Sequence, residues 1–421
     1  MALTLHGSTG ITGAGIGTIG PSGANITGIV TATSAKVGTA VTISESGINA
    51  TGVGITVASI NEGPIGGRRN IIINGACNVA QRGTSDTSDV QGYTTVDRFK
   101  IGWGGADAII ETHQESLSSS DTGPWAEGFR NAYKLVNGNQ SSGAGAGDYA
   151  EIQYKAEAQD MASSGWNYTS TTDYVTLSFW VKSSVAQNYY GFLTNSDGTS
   201  QRYIFETGSL SSNTWKKVIL TIPGATNVQF DNNTGEGLII KWIPFYGTDF
   251  TASATLNTWA AYSGSARTPD NTSTWWTTND ATFHLTGIQL ERGSVATPFE
   301  HRSFGEELSL CQRYYYRATA DTSDDFGSGF NSSTTQCRPT IVFPVTMRDA
   351  ISAIETTGTA ANYKVAHGGT ETNCSSVPTY SGGSKINARC IFTVSSGLTA
   401  GQGSAGRSNA AGAYLGFSAE L

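Results

Sequence analysis

Tyr174-Val175-Thr176-Leu177-Ser178-Phe179-Trp180-Val181-Lys182 decides the fold. Val175, Leu177, Phe179 and Val181 fall on one side of an extended chain; Tyr174, Thr176, Ser178, Trp180 and Lys182 fall on the other. A period of two, filled with β-branched and aromatic residues, predicts a strand with one buried face. The same alternation returns downstream. In Lys216–Ile222, Val218, Leu220 and Ile222 alternate with Lys217, Ile219 and Thr221. Leu238–Tyr246 and Thr282–Glu291 read as further strands, the second with a bulge expected at Gly287. Ser196-Asp197-Gly198, between Phe192 and Tyr203, reads as a hairpin turn. Many half-buried strands without a helical pattern predict a two-sheet antiparallel sandwich, a jelly roll, over residues 68–306.

Composition points the same way. A chain of 421 residues has room for two or three domains with their own cores. Charged residues are 14%, well below the ~25% of ordinary soluble proteins, and aromatics are 10%. That excludes a disordered charged tail and argues against long helices. The net charge of −8 argues against nucleic-acid binding through a basic face. No run of 18 apolar residues is present, so no membrane-spanning helix is expected. The first 20 residues have neither a cationic start nor a continuous apolar stretch, so no secretory signal is expected. Cys77, Cys311, Cys337, Cys374 and Cys390 are then expected to be reduced. Cys374 and Cys390 flank a loop and would be the pair to bridge under oxidation, with buried thiols the preferred reading.

Outside the sandwich, residues 1–67 carry fifteen glycines, only Lys36, Glu45 and Glu62 as charges, and no aromatic residue. Short β-branched runs recur at 26–33, 39–44 and 53–60. Strands with so little private core suggest a fibrous β-shaft stacked against copies of the chain; a Gly-rich tether is the alternative. Residues 307–421 form a second, smaller β unit. There Ile386, Ala388, Cys390, Phe392 and Val394 line one strand face, and 339–345 and 413–419 supply other strands. Residues 397–412 read as a Gly/Ser/Ala-rich loop, and 306–313 as one helical turn or an incoming strand.

Four blocks carry a family resemblance. They are Asn70-Ile71-Ile72-Ile73-Asn74-Gly75-Ala76-Cys77-Asn78-Val79-Ala80-Gln81-Arg82-Gly83-Thr84, Tyr93-Thr94-Thr95-Val96-Asp97-Arg98-Phe99, residues 287–302 ending Thr297-Pro298-Phe299-Glu300-His301-Arg302, and Glu307-Leu308-Ser309-Leu310-Cys311-Gln312-Arg313-Tyr314-Tyr315. Over residues 68–316 the chain resembles tailed-bacteriophage fibre and receptor-binding proteins that carry a jelly roll similar to a carbohydrate-binding module. Phe343-Pro344-Val345-Thr346-Met347-Arg348 and Ser396-Gly397-Leu398-Thr399-Ala400-Gly401 resemble fibre tips more loosely. The resemblance implies an all-β homotrimeric virion fibre, assembled in the host cytoplasm. Its N-terminus would dock on other virion proteins and its outer part on bacterial surface polysaccharide. No cofactor, metal, nucleic acid or membrane insertion is expected.

Sugar binding needs flat apolar surfaces for ring C–H groups and planar polar groups for hydroxyls. Trp125, Trp166, Tyr168, Trp259, Tyr262, Trp275 and Trp276 lie in irregular stretches rich in Ser, Thr, Gly and Asn, and are the candidate platforms. For each one alone, capping the sandwich end is the competing reading. Trp180, Trp215 and Trp242 lie in strands and read as packing or subunit contacts. Polysaccharide hydrolysis would need two carboxylates ~5–9.5 Å apart, with Asp231 and Glu236 the candidates. A polar hairpin loop is preferred for them, as it is over a Ca²⁺ loop of Asp231, Asn233 and Glu236. His6, His113, His284, His301 and His367 form no metal-ligand spacing. Glu300-His301-Arg302 reads either as inter-subunit ion pairs or as solvated charge. The function expected is non-enzymatic host attachment. A scaffold fibre without receptor binding and a glycan-degrading spike are the alternatives.

Overall fold

The computed structural model describes the strands Ser34–Val37 (β1), Val41–Ser44 (β2) and Gly47–Ala50 (β3), together with residues 68–421. The chain divides into two units, Met1–Ala58 and Ser59–Leu421. In the first, β1, β2 and β3 pair antiparallel in sequence order. β2 falls within the strand expected over 39–44; the strands expected over 26–33 and 53–60 lie outside the described residues.

The second unit begins with a sandwich of twelve strands. They are β4 (Ser85–Asp86), β5 (Phe99–Gly104), β6 (Glu111–Ser116), β7 (Asn131–Val136), β8 (Tyr149–Glu157), β9 (Tyr174–Ser183), β10 (Asn188–Asn195), β11 (Gln201–Ser209), β12 (Lys216–Pro223), β13 (Glu236–Tyr246), β14 (Trp259–Ala261) and β15 (Thr282–Arg292). The front sheet runs β14-β11-β10-β13-β8-β5 and the back sheet β12-β9-β15-β7-β6-β4, with every pair antiparallel. From β8 to β13 the chain passes repeatedly between the layers.

The alternation read in β9 is the packing code. Val175, Leu177, Phe179 and Val181 are all fully buried. Phe179 faces Phe205 and Trp242 of the front sheet and meets the Trp242 ring edge-on at 5.8 Å. Removing such a side chain typically costs about 3–5 kcal/mol. Gly287 is the bulge: the β15–β9 register shifts between Thr286 and Gln289, and φ is +62°. A Cβ at Gly287 would approach the Phe129 ring to 2.6 Å, so both conformation and space demand glycine. A short helix, α1 (Ala158–Ala162), follows β8.

The remainder comprises α2 (Phe304–Gln312), β16 (Tyr315–Ala320), β17 (Asp325–Asn331), β18 (Gln336–Val342), β19 (Ile354–Thr356), β20 (Tyr363–His367), β21 (Thr370–Asn373), β22 (Thr379–Gly383), β23 (Asn387–Thr393), β24 (Gly403–Ser408) and β25 (Ala413–Ser418). Three strands order as β16-β25-β19 and seven as β21-β20-β24-β17-β18-β23-β22. The 306–313 segment is helical because Ser303 caps it, its hydroxyl accepting from the Glu306 N–H. Ala388, Cys390, Phe392 and Val394 are buried as read, whereas Ile386, just before β23, is exposed. The segment 397–412 is not one loop: it contains β24. Small residues carry little strand propensity, but Gly406 sits where a Cβ would crowd Phe392 and Pro339, so packing selects what propensity would not.

The two β regions of this unit meet across a buried polar seam. Arg98, at φ +73° and fully buried, stacks on Tyr314 at 3.4 Å, pairs with Glu420 and donates to the Lys155 carbonyl at 2.6 Å. Arg82 lies 3.4 Å over Tyr315 and pairs with Glu355 and Glu420. Gln81 donates to Asp97 and to the Tyr315 carbonyl. Glu300 accepts from the Arg69 and Asn70 N–H groups, and Arg302 joins Glu300 to Glu307. The four blocks that carried the resemblance thus converge here, as structural residues. Glu300 and Arg302 pair within one chain, and His301 bonds the Glu127 carbonyl at 2.8 Å, so this trio needs no neighbouring subunit.

Candidate functional site

The outer face of the front sheet is built by the side chains that alternate away from the core. Register places Ile204, Phe192, Lys241, Gln153 and Lys100 in one row across β11, β10, β13, β8 and β5. The next row is Arg202, Thr194, Ile239 and Lys155. Phe250, Ala254 and Leu256 cover one half of the face, packing on Phe192, Ile204, Ile243 and Tyr246. That segment does not cover the other half, where Ile239, Lys241 and Gln153 are half-buried and Thr194, Arg202 and Lys155 are buried. There a groove of about 310 Å³ is lined by Phe192, Thr194, Asn195, Ser196, Ser200, Ile239, Lys241 and Tyr262.

Tyr262 forms the groove's aromatic wall. It is 38% exposed, its ring lies 6.2 Å from Phe192, and its N–H donates to the Ser200 carbonyl at 2.9 Å. Arg202 fixes the same segment by donating to the Ser263 carbonyl at 3.1 Å. The polar groups are held as firmly. Lys241 donates to Glu151 at 2.7 Å, Gln153 donates to the same oxygen at 2.5 Å, and Lys155 pairs with Glu236 at 2.5 Å. Burial, and the positive charge of Lys155, hold the Lys100 amine below its ordinary range. A ring wall beside fixed amide, hydroxyl and ammonium groups can take a sugar ring by its C–H face and its hydroxyls together.

The seven aromatic candidates separate into three groups. Trp275, Trp276 and Trp166 are buried, which corrects their reading as exposed platforms. The polar 270–280 loop folds back over the sandwich end, where the Asn137 amide holds the Trp275 and Trp276 carbonyls and Trp276 stacks on Phe245 at 5.2 Å. Trp166 donates to the Asp173 carbonyl and packs against Tyr168 and Phe230. Trp125 and Trp259 are half-buried edge residues. The Arg130 guanidinium lies 3.7 Å over Trp125; Trp259 leans on Tyr203 and donates to the Pro223 carbonyl at 2.7 Å. Tyr262 and Tyr168 line grooves, one on each side of the β10–β11 turn. That of Tyr168 measures about 520 Å³ and includes Thr169, Gln201, Asn227 and Gln229. Thr194, Ile239 and Lys241 were missed because they lie in strands; their outward register was the available signal.

Asp231 and Glu236 are engaged with different partners. Glu236 is committed to Lys155, and Asp231 is an exposed loop residue whose N–H donates to Asp197. Asn233 bonds the Gly235 N–H, and no group of three His, Cys, Asp or Glu suited to a metal occurs among the described residues.

No protein-family model and no curated protein matches the chain. Among solved structures it is distantly similar to the enzymatically active domain of tailspike protein 4 of bacteriophage CBA120, at 10% identity and TM-score 0.28, over 53% of this chain and 21% of that one. It is also distantly similar to the family 11 carbohydrate-binding module of Clostridium thermocellum in complex with a β-1,3-1,4-mixed-linked tetrasaccharide, at 12% identity and TM-score 0.23, over 51% and 98%. A third is the N-terminal tandem of family 22 modules from Paenibacillus barcinonensis, at 11% identity and TM-score 0.24, over 82% and 99%.

Proposed function

We propose that the chain is a non-enzymatic glycan-binding protein, a homotrimeric phage fibre that attaches the virion to bacterial surface polysaccharide. The observation that supports it most is the groove beside Tyr262, where an exposed ring borders fixed polar groups of the front sheet. One shallow site binds weakly; three copies per fibre would multiply retention without any new contact. The test is affinity electrophoresis of the full chain in gels containing β-1,3-1,4-glucan or purified bacterial surface polysaccharides. Tyr262→Ala is expected to weaken retention roughly five- to tenfold, the worth of one ring contact, with folding unchanged. Wild-type mobility unaffected by every polymer, or equal retention of wild type and variant, would overturn the proposal. Sedimentation of the intact chain reads the trimer.

A further inference from the structure

The outward face of the seven-stranded sheet carries an arrangement unlike any other in the described residues. Register sets Glu371, Ala366, Ala405, Ser328, Thr340 and Arg389 in one row over six strands, a span of about 24 Å. Alongside run Gly403, Phe330 and Arg338 on β24, β17 and β18. A trough of about 720 Å³ opens over Ser328, Ala366 and Ala405. Phe330 stands beside it, 51% exposed in the middle of a sheet.

Charge decides what the face would take. On one flank Arg407 is neutralised by Asp325 and Glu371, and Lys364 by Glu371. On the other, Arg338 and Arg389 have no ion pair, hydrogen bond or ring contact, and the Arg338 Nε is buried without a partner. Every other arginine of the described residues is engaged with a carboxylate, a carbonyl or a ring. The two that are not are near neighbours. Arg389 faces Thr340, two residues along β18 from Arg338, a diagonal of about 7–8 Å. Phe330 lies directly opposite Arg338, at about 5 Å between Cβ atoms.

We infer that this face binds a polysaccharide containing uronic acid. A pyranuronate offers a C–H ring face and a carboxylate on one small body, matching a ring and a guanidinium set side by side. The guanidinium fork suits a carboxylate in two-point contact. The trough gives the neighbouring sugar rings room along the sheet. This site shares no residue with the groove beside Tyr262, so either assignment can fail with the other intact.

The experiment is affinity electrophoresis of the full chain in polygalacturonate, in alginate and in fully methyl-esterified polygalacturonate, which keeps the rings and removes the charge. Retention by at least one of the two acidic polymers is expected, lost on esterification and weakened by salt. Arg338→Gln with Arg389→Gln, and the exposed single change Arg389→Gln, are each expected to reduce it by about tenfold or more, at unchanged melting temperature. Phe330→Ala is expected to reduce retention about fivefold. Retention by neither acid polymer, equal retention by the esterified one, or wild-type retention in Arg389→Gln overturns the inference. So does preference for a phosphate-bearing polymer, poly(ribitol phosphate), over both uronates.

Discussion

Replacing Trp276 with Ala separates a core residue from a sugar platform, two roles that the sequence alone leaves open. The side chain is fully buried, stacks on Phe245 at 5.2 Å and donates through Nε1 to the Gly143 carbonyl at 2.9 Å. Truncating a buried Trp costs about 3–5 kcal/mol from lost transfer energy and the cavity left behind. The lost hydrogen bond adds about 1 kcal/mol. Against a total stability on the order of 5–15 kcal/mol, the expected loss is about 4–6 kcal/mol, a large fraction. With a urea slope of about 3 kcal/mol per M, the midpoint should fall by about 1.3–2 M. Urea titration followed by tryptophan fluorescence reads the midpoint; affinity electrophoresis below the transition reads binding. The variant should be unstable yet retain polysaccharide whenever it is folded. A midpoint within about 0.2 M of wild type, together with lost retention, would refute the burial argument and return Trp276 to the surface.

Further outcomes follow from the seam, the bulge and the thiols. Burial raises the Asp97 carboxyl from 3.8 to about 6. Its stabilising contribution is therefore present below pH ~4 and lost as pH rises through about 6, so stability relative to Asp97→Asn should fall by about 2–3 kcal/mol between pH 4 and 7, measured as paired urea midpoints. A wild-type-to-variant difference that does not change with pH would sink this. Gly287→Ala should cost about 1–3 kcal/mol, from positive φ and the clash with Phe129, and lower the melting temperature by several degrees; an unchanged melting temperature contradicts the bulge geometry. The Cys77, Cys374 and Cys390 thiols are pushed up to about 12 by burial, so native protein should label with a thiol reagent far more slowly than urea-unfolded protein. Fast native labelling would show that these residues open to solvent.

The strands were legible where alternation was strict. β9 and β12 fall within a few residues of their readings for that reason, while β13 and β15, buried on both faces, were found from their runs of β-branched and aromatic residues. The Gly287 bulge and the turn at 196–198 were legible for a similar reason, since each rests on one local conformation. β24 was not, because its residues are chosen by neighbours far away in sequence. The site was less legible than the fold. Loop composition sorted exposed from buried aromatics poorly: Tyr262 stayed outside, while Trp275 and Trp276 turned inward beneath a polar loop. A polar loop needs only its backbone in water; where its rings point depends on whether the sandwich end has a vacancy for them. Arg338 and Arg389 gave no sequence signal, since absence of a partner is a property of three dimensions.

The seam has a bearing on how such a chain can be cut and recombined. Arg98 belongs to the first β region, but its ring and its carboxylate, Tyr314 and Glu420, come from the second. A break after Arg302 would strand that guanidinium in a half-pocket, and a chain ending there should be cut by protease within the sandwich faster than the full one. Exchange between relatives would have to carry both cassettes together, or reinvent their shared wall.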